Sequence, residues 1–131
     1  MLKIPPNVKI IELTTSTLWF DKNGILCSIS KKASPQTLEQ ARETLKDLRQ
    51  YVGNNKVCML IDATHTSETS REVRDFAAEE LPKIAKAIAL MSRSALGKML
   101  ANLFFRLKSQ PYPVKMFDDE QEAIQWLRQY L

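Results

Sequence analysis

The 131-residue chain has one histidine, His65, and two cysteines, Cys27 and Cys58, neither of them in a CxxC spacing. That composition excludes a zinc site of the His/Cys type. There is no P-loop, nucleophile elbow, dinucleotide fingerprint or metal-ligand cluster, so the sequence argues against an enzyme and implies no cofactor. No stretch approaches the ~20 apolar residues that span a bilayer. The opening MLKIPPNVKII is broken by Pro5 and Pro6 and lacks the run of roughly seven apolar residues of a secretory signal. A basic stripe is missing too: 19 Lys and Arg are scattered among 15 Asp and Glu for a net charge of +4, which argues against a dedicated nucleic-acid face. Internal repeats and low-complexity stretches do not occur. Cys27 and Cys58 lie in apolar, strand-like stretches, so both read as reduced core thiols of a soluble cytoplasmic protein.

What is present is enough apolar sequence, 44% of the chain, for one domain over residues 1–131 with a core of its own. Residues 8–20 and 25–31 are rich in β-branched and aromatic side chains, and Asn23-Gly24 between them predicts a tight hairpin with two positive-φ positions. In the second strand, Ile25, Cys27 and Ile29 alternate with Leu26, Ser28 and Ser30, which predicts one wetter face. Ser34 followed by Pro35 reads as a helix start, Leu38, Ala41, Leu45, Leu48 and Val52 as the buried stripe, and Gly53 as the stop. The continuous apolar run 57–63 predicts a strand covered on both faces, the centre of the sheet. Thr69 with Glu72 reads as a capping box opening a helix whose buried side carries Val73, Phe76, Ala77 and Ile84, and Pro82 should end or bend that helix near Leu81. Strands at 87–91 and 114–117 follow, separated by a helix at 94–107, and Asp119 with Glu122 opens a final helix with Ala123, Ile124 and Leu127 inward. The order β-β-α-β-α-β-α-β-α with short connections predicts an α/β fold: an open, mixed, mainly parallel five-stranded sheet covered by helices.

Between the central strand and the next helix runs a hydroxyl-rich loop, residues 64–70. Loops at the carboxyl ends of strands in open α/β sheets commonly hold ligands, and free amides at a helix start favour anions. Ser67, Thr69, Ser70 and Arg71 are the candidate switch or anion-binding residues, with Asp62 supporting the loop; the competing reading makes Thr69 a plain cap and Ser67 a solvated turn residue. Asp62, His65 and Glu68 recur every three residues, but a loop does not hold that spacing on one face, so their role reads as structural. Glu80 falls on the apolar side of its helix and must find a partner or reach an edge, the edge being favoured because Pro82 bends the chain beside it; the competing reading makes it a polar group lining a small pocket. Trp19, Phe20, Trp126 and Tyr130 fit core and rim packing as well as an aromatic ligand box.

This order of elements, with MLIDA at mid-chain, the stripe LGKMLANLFFRL and the ending PVKMFDDEQEAIQWL, resembles the SpoIIAA-like branch of the STAS superfamily over nearly the whole chain, from about Leu18 onward. That branch includes many small uncharacterised bacterial proteins, and the superfamily includes anti-sigma-factor antagonists. The resemblance implies a SpoIIAA-like fold and a cytoplasmic regulatory or protein-interaction domain that is not an enzyme. In the antagonists, a strand ending in Asp is followed by a loop and an Asp-Ser pair at the helix start, where a partner kinase phosphorylates the serine. Asp62 matches the strand-end aspartate. The later pair is replaced by Ser70-Arg71, a departure from the phospho-switch pattern.

The leading functional expectation is therefore a domain that binds a protein partner or a second copy of itself. The alternative is a carrier for a small apolar molecule or lipid in a cavity between helices and sheet. On the helix at 94–107, Leu96, Met99, Leu100, Leu103, Phe104 and Leu107 form the inward stripe. Gly97, Ala101 and Phe105 point the other way, with Lys98 and Lys108 beside them, a candidate homodimer interface of small residues and an aromatic anchor. Phe105→Asp is expected to convert a dimer to monomer in size-exclusion chromatography with light scattering while leaving circular dichroism intact. A wild type already monomeric at high micromolar concentration contradicts the homodimer.

Overall fold

The computed structural model describes residues 2–13, 15–31, 37–64, 70–92, 94, 95, 99 and 111–131. Six strands form one open sheet in the spatial order β1 (Ile11–Glu12), β2 (Ser16–Phe20), β3 (Leu26–Ser30), β4 (Val57–Asp62), β5 (Ala85–Met91), β6 (Val114–Phe117). The first two pairings are antiparallel and the other three parallel. The described helices are α1 (Leu38–Val52), α2 (Arg71–Glu80) and α3 (Glu120–Arg128). The mixed, mainly parallel α/β sheet expected from the order of elements is what forms.

The sixth strand comes from a break in the first. Residues 8–20 do not run as one strand, because Leu13 N–H donates to Ser16 O at 2.9 Å and folds Ile11–Glu12 back onto Thr17–Leu18. Lys31 holds this corner. Its Nζ donates to Leu13 O at 2.7 Å and pairs with Glu12 at 2.6 Å, and its backbone N–H donates to Thr15 O at 2.8 Å. In the β2–β3 turn Gly24 has a positive φ of 82° and Asn23 does not, so the expected two-residue turn is replaced. A longer loop forms instead, closed by Asp21 N–H donating to Ile25 O and by the Asp21 carboxylate accepting from the N–H groups of Asn23 and Ile25.

Two helix starts also shift. The box at the start of α1 is Thr37 with Gln40, whose N–H donates to Thr37 Oγ1 at 3.1 Å while Thr37 N–H donates to Gln40 Oε1 at 3.0 Å. Thr37 replaces Ser34 as cap, and Ser34 and Pro35 lie outside the described residues. The cap of α2 is Ser70, whose Oγ accepts from Val73 N–H at 3.2 Å, rather than Thr69. Gly53 ends α1 with φ 72°, Pro82 sits in a 3₁₀ turn directly after α2, and Asp119 caps α3 by accepting from Glu122 N–H at 3.2 Å, as their positions in the sequence predict.

The sheet is covered on both faces. One face gathers Trp19, Ile25, Cys27, Cys58, Leu60, Ala87 and Ala89 beneath Ala123 and Leu127 of α3, and the small Ala87 and Ala89 let that helix approach closely. The other gathers Leu18, Leu26, Met59, Ile88 and Leu90 with Leu48 of α1 and Tyr112. The wetter face expected of β3 is therefore absent: Leu26 is fully buried and Ser28 is buried too, because a strand paired on both edges in this sheet has helices above and below. The aromatic residues pack as core and rim. Trp19 is buried, and Trp126 contacts Phe117 and Tyr130 with ring centroids 5.5 and 5.1 Å apart.

Both thiols lie in the α3-side core, where burial pushes Cys27 up to about 12, with Asp21 and Glu120 adding to the effect, and burial also raises Cys58. A raised thiol pKa means the folded state excludes the thiolate. Its contribution to stability is full below the unfolded value and is lost as pH rises from there toward about 12 for Cys27. Ellman's reagent at pH 8 is expected to react slowly with the native protein and rapidly with both cysteines in denaturant; rapid native labelling of Cys27 contradicts this packing.

Candidate functional site

The centre of the sheet ends in Asp62. Its position in β4 pairs with Ile29 of β3 on one side and Met91 of β5 on the other, which brings a carboxylate to the carboxyl edge of the sheet between two hydrogen-bonded neighbours. The residue is 1% exposed. A buried carboxylate is tolerated only when its oxygens are satisfied by donors. Leu2 N–H donates to Oδ2 at 3.0 Å, Thr64 N–H donates to Oδ1 at 3.0 Å, and the Thr64 hydroxyl donates to the same oxygen. The sequence points to loop amides as Asp62's partners; one of them is the loop's first residue, and the other comes from sixty residues earlier in the chain.

Around Asp62 the strand ends are joined by hydroxyls. Ser30, at the end of β3, donates to Asp62 O at 3.0 Å; Ser94, after β5, donates to Thr64 O at 3.1 Å; Ser92 is buried, and its hydroxyl donates to Ser94 O at 3.2 Å. Parallel strands leave carbonyls unpaired where they stop together, and short hydroxyl side chains satisfy them without adding charge. Sequence reasoning missed Ser30, Ser92 and Ser94. The signal available was positional, since Ser92 and Ser94 follow β5 much as Thr64 follows β4.

Ser70 is exposed at the start of α2, its Oγ engaged with Val73 N–H. The Arg71 side chain is 88% exposed and approaches Asp75 at 3.9 Å. The hydrogen bonds of Asp62 and of Ser70 thus run to separate partners, one inside the sheet edge and one on the helix. Ser67, Thr69 and His65 of the loop, and the whole candidate interface of Gly97, Lys98, Ala101, Phe105 and Lys108, lie outside the described residues. Among the described residues no group of three His, Cys, Asp or Glu side chains is arranged to hold a metal ion.

A concave feature lies elsewhere, between α1 and α2. It is an open cleft of about 480 Å³ lined by Arg42, Leu45, Lys46, Arg49, Phe76 and Glu80, among others. Glu80 is there because it finds cations at the helix edge: its Oε2 lies 3.2 Å from Lys83 Nζ and 3.6 Å from Arg49 Nη2. Its charged rim differs from the enclosed apolar cavity that carriage of a lipid calls for.

The Asp62 contacts lead to a quantitative expectation. Asp62→Ala strands the Leu2 and Thr64 donors and should lower unfolding free energy by roughly 1–3 kcal/mol in urea titrations. In a double-mutant cycle with Thr64→Val the two losses should be non-additive, because both substitutions remove the Thr64 hydroxyl bond to the Asp62 carboxylate. An unchanged midpoint for Asp62→Ala contradicts the assignment.

No curated protein matches the chain. Among solved structures, it is similar to an uncharacterized protein of the DUF3478 family with a SpoIIAA-like fold from Shewanella loihica PV-4. The two are 19% identical with a TM-score of 0.54, over 92% of this chain and 91% of that one. A protein of unknown function from Arthrobacter sp. FB24 is 27% identical over 85% of this chain and 97% of its own, but the backbones agree poorly, with a TM-score of 0.32. The Shewanella protein shares the open α/β sheet, so the fold is SpoIIAA-like, as the order of elements and the MLIDA stretch imply. The profile of one family, described as a domain of unknown function, DUF7793, matches residues 18–131, and the chain belongs to that family.

Proposed function

We propose that this protein is a non-enzymatic regulatory or protein-interaction domain of the cytoplasm, acting through the surface around the start of α2. The observation that carries the reading is the disposition of hydroxyls at the carboxyl edge of the sheet. Those of Ser30, Thr64, Ser92 and Ser94 are taken up by carbonyls and by the Asp62 carboxylate, which suits structure rather than proton transfer. Ser70 is different: it is exposed, at a helix N-cap, beside the outward-facing Arg71. A phosphate added there would meet a favourable helix end worth roughly 0.3–1 kcal/mol and would change the charge of an accessible surface. The SpoIIAA-like fold of the Shewanella protein is compatible with this reading. Among the described residues no helix is long and apolar enough to cross a membrane.

Ser70→Asp tests the proposal, because aspartate keeps an N-cap acceptor while adding charge. Affinity purification from the organism of origin with quantitative mass spectrometry is expected to recover a specific protein partner with the wild type, and at least tenfold less of it with Ser70→Asp. Phosphopeptide mapping should find modification within residues 64–71, on Ser70 first and Ser67 next. A partner set unaffected by Ser70→Asp, with only unmodified loop peptide across several growth states, contradicts it.

A further inference from the structure

On α1 the charges are sorted. Advancing about 100° per residue from Leu45 on the apolar stripe, Arg49, Arg42 and Lys46 come first, and Glu39, Glu43 and Asp47 lie beyond them. The cations border the cleft against α2, and the three acids of α1 are not part of its lining. From α2 the cleft receives the Phe76 ring, with the Arg42 guanidinium over it at 6.0 Å, and the Glu80 carboxylate. Among the residues that line the cleft, three cations face one carboxylate. Lys83, 3.2 Å from Glu80, further offsets the lone negative group.

We infer that this cleft is a docking groove for an acidic segment of a partner protein, extended along α1 with one apolar side chain set against Leu45 and Phe76. The cations are spread along the helix axis over roughly 10 Å at 1.5 Å per residue, about the length of three extended residues. A compact phosphate would be met by convergent donors, and these are strung out in a line. The concavity and the apolar floor likewise fit a side chain better than a flat bilayer surface. Arg42 and Arg49, held by the Phe76 ring and by Glu80, present their charge with less freedom to lose on binding. The groove is distinct from the Ser70 surface, and its test does not involve that residue.

The probe is a fluorescein-labelled seven-residue peptide of alternating Asp and Glu with a central Phe, followed by fluorescence polarisation at 50 and 300 mM NaCl. Binding in the micromolar range at low salt is expected, weakening at high salt. Arg42→Glu with Lys46→Glu should weaken it at least tenfold, as should Phe76→Ala. Lys22→Glu with Lys86→Glu, the same charge change on other exposed lysines, should do so by less than twofold. Lys46→Gln alone should give an intermediate loss, which keeps the test decisive if the double reversal fails to fold. Equal loss from both charge-reversed pairs, or no saturable binding, overturns the proposal. It is overturned as well if inorganic phosphate competes at the peptide's own concentration, if phosphatidylserine vesicles sediment the wild type but not Lys46→Glu, or if Lys46→Glu abolishes a dimer seen by light scattering.

Discussion

The Asp62 carboxylate is the constraint on which the carboxyl edge of the sheet depends. A carboxylate with 1% exposure at the carboxyl edge of the parallel strands must be matched by donors, and the chain supplies them from two places, Thr64 two residues after the strand ends and Leu2 sixty residues earlier. Satisfying Asp62 therefore draws Leu2 into the α3-side core, where it is itself buried. It also sets the path of the chain leaving β4. The residues of the family-matched stretch begin at Leu18, so this donor is contributed by a segment outside it.

The elements most legible in the sequence are those governed by local chemistry or by strong burial. The apolar run of β4, the stripe of α1, the stop at Gly53, the break at Pro82 and the Asp119 cap are each dictated by one side-chain property, and each forms where that property places it. What was not legible depends on long-range contacts. The split between β1 and β2 follows from Lys31 reaching back to Leu13, and the burial of Ser28 follows from β3 lying between two strands under two layers of helix. Thr37 and Ser70 cap helices where the sequence offers several hydroxyls within a few residues, and a local rule does not rank them.

The candidate site was legible in part for the same reason. Asp62 at the end of an apolar run is conspicuous in any reading, and its hydrogen-bonding role follows from burial. Leu2 is not conspicuous, since nothing in an apolar residue announces that its backbone amide will serve a carboxylate sixty positions away. Ser92 and Ser94 become meaningful only once β4 and β5 are neighbours. The α1–α2 cleft needed both helices side by side: the cations of α1 and the Phe76–Glu80 pair of α2 look like ordinary solvated faces until the two are packed together.

Amide hydrogen exchange at Leu2, followed by nuclear magnetic resonance on the folded protein, measures the central contact directly. A backbone N–H without a protecting hydrogen bond exchanges at close to the rate of an unstructured peptide. If its proton is committed to the buried Asp62 carboxylate, its exchange should be slower by a factor on the order of a hundred or more, and Asp62→Ala should restore fast exchange while the amides of β4 and β5 stay protected. Exchange of the Leu2 amide at the unstructured rate in the wild type would contradict the account.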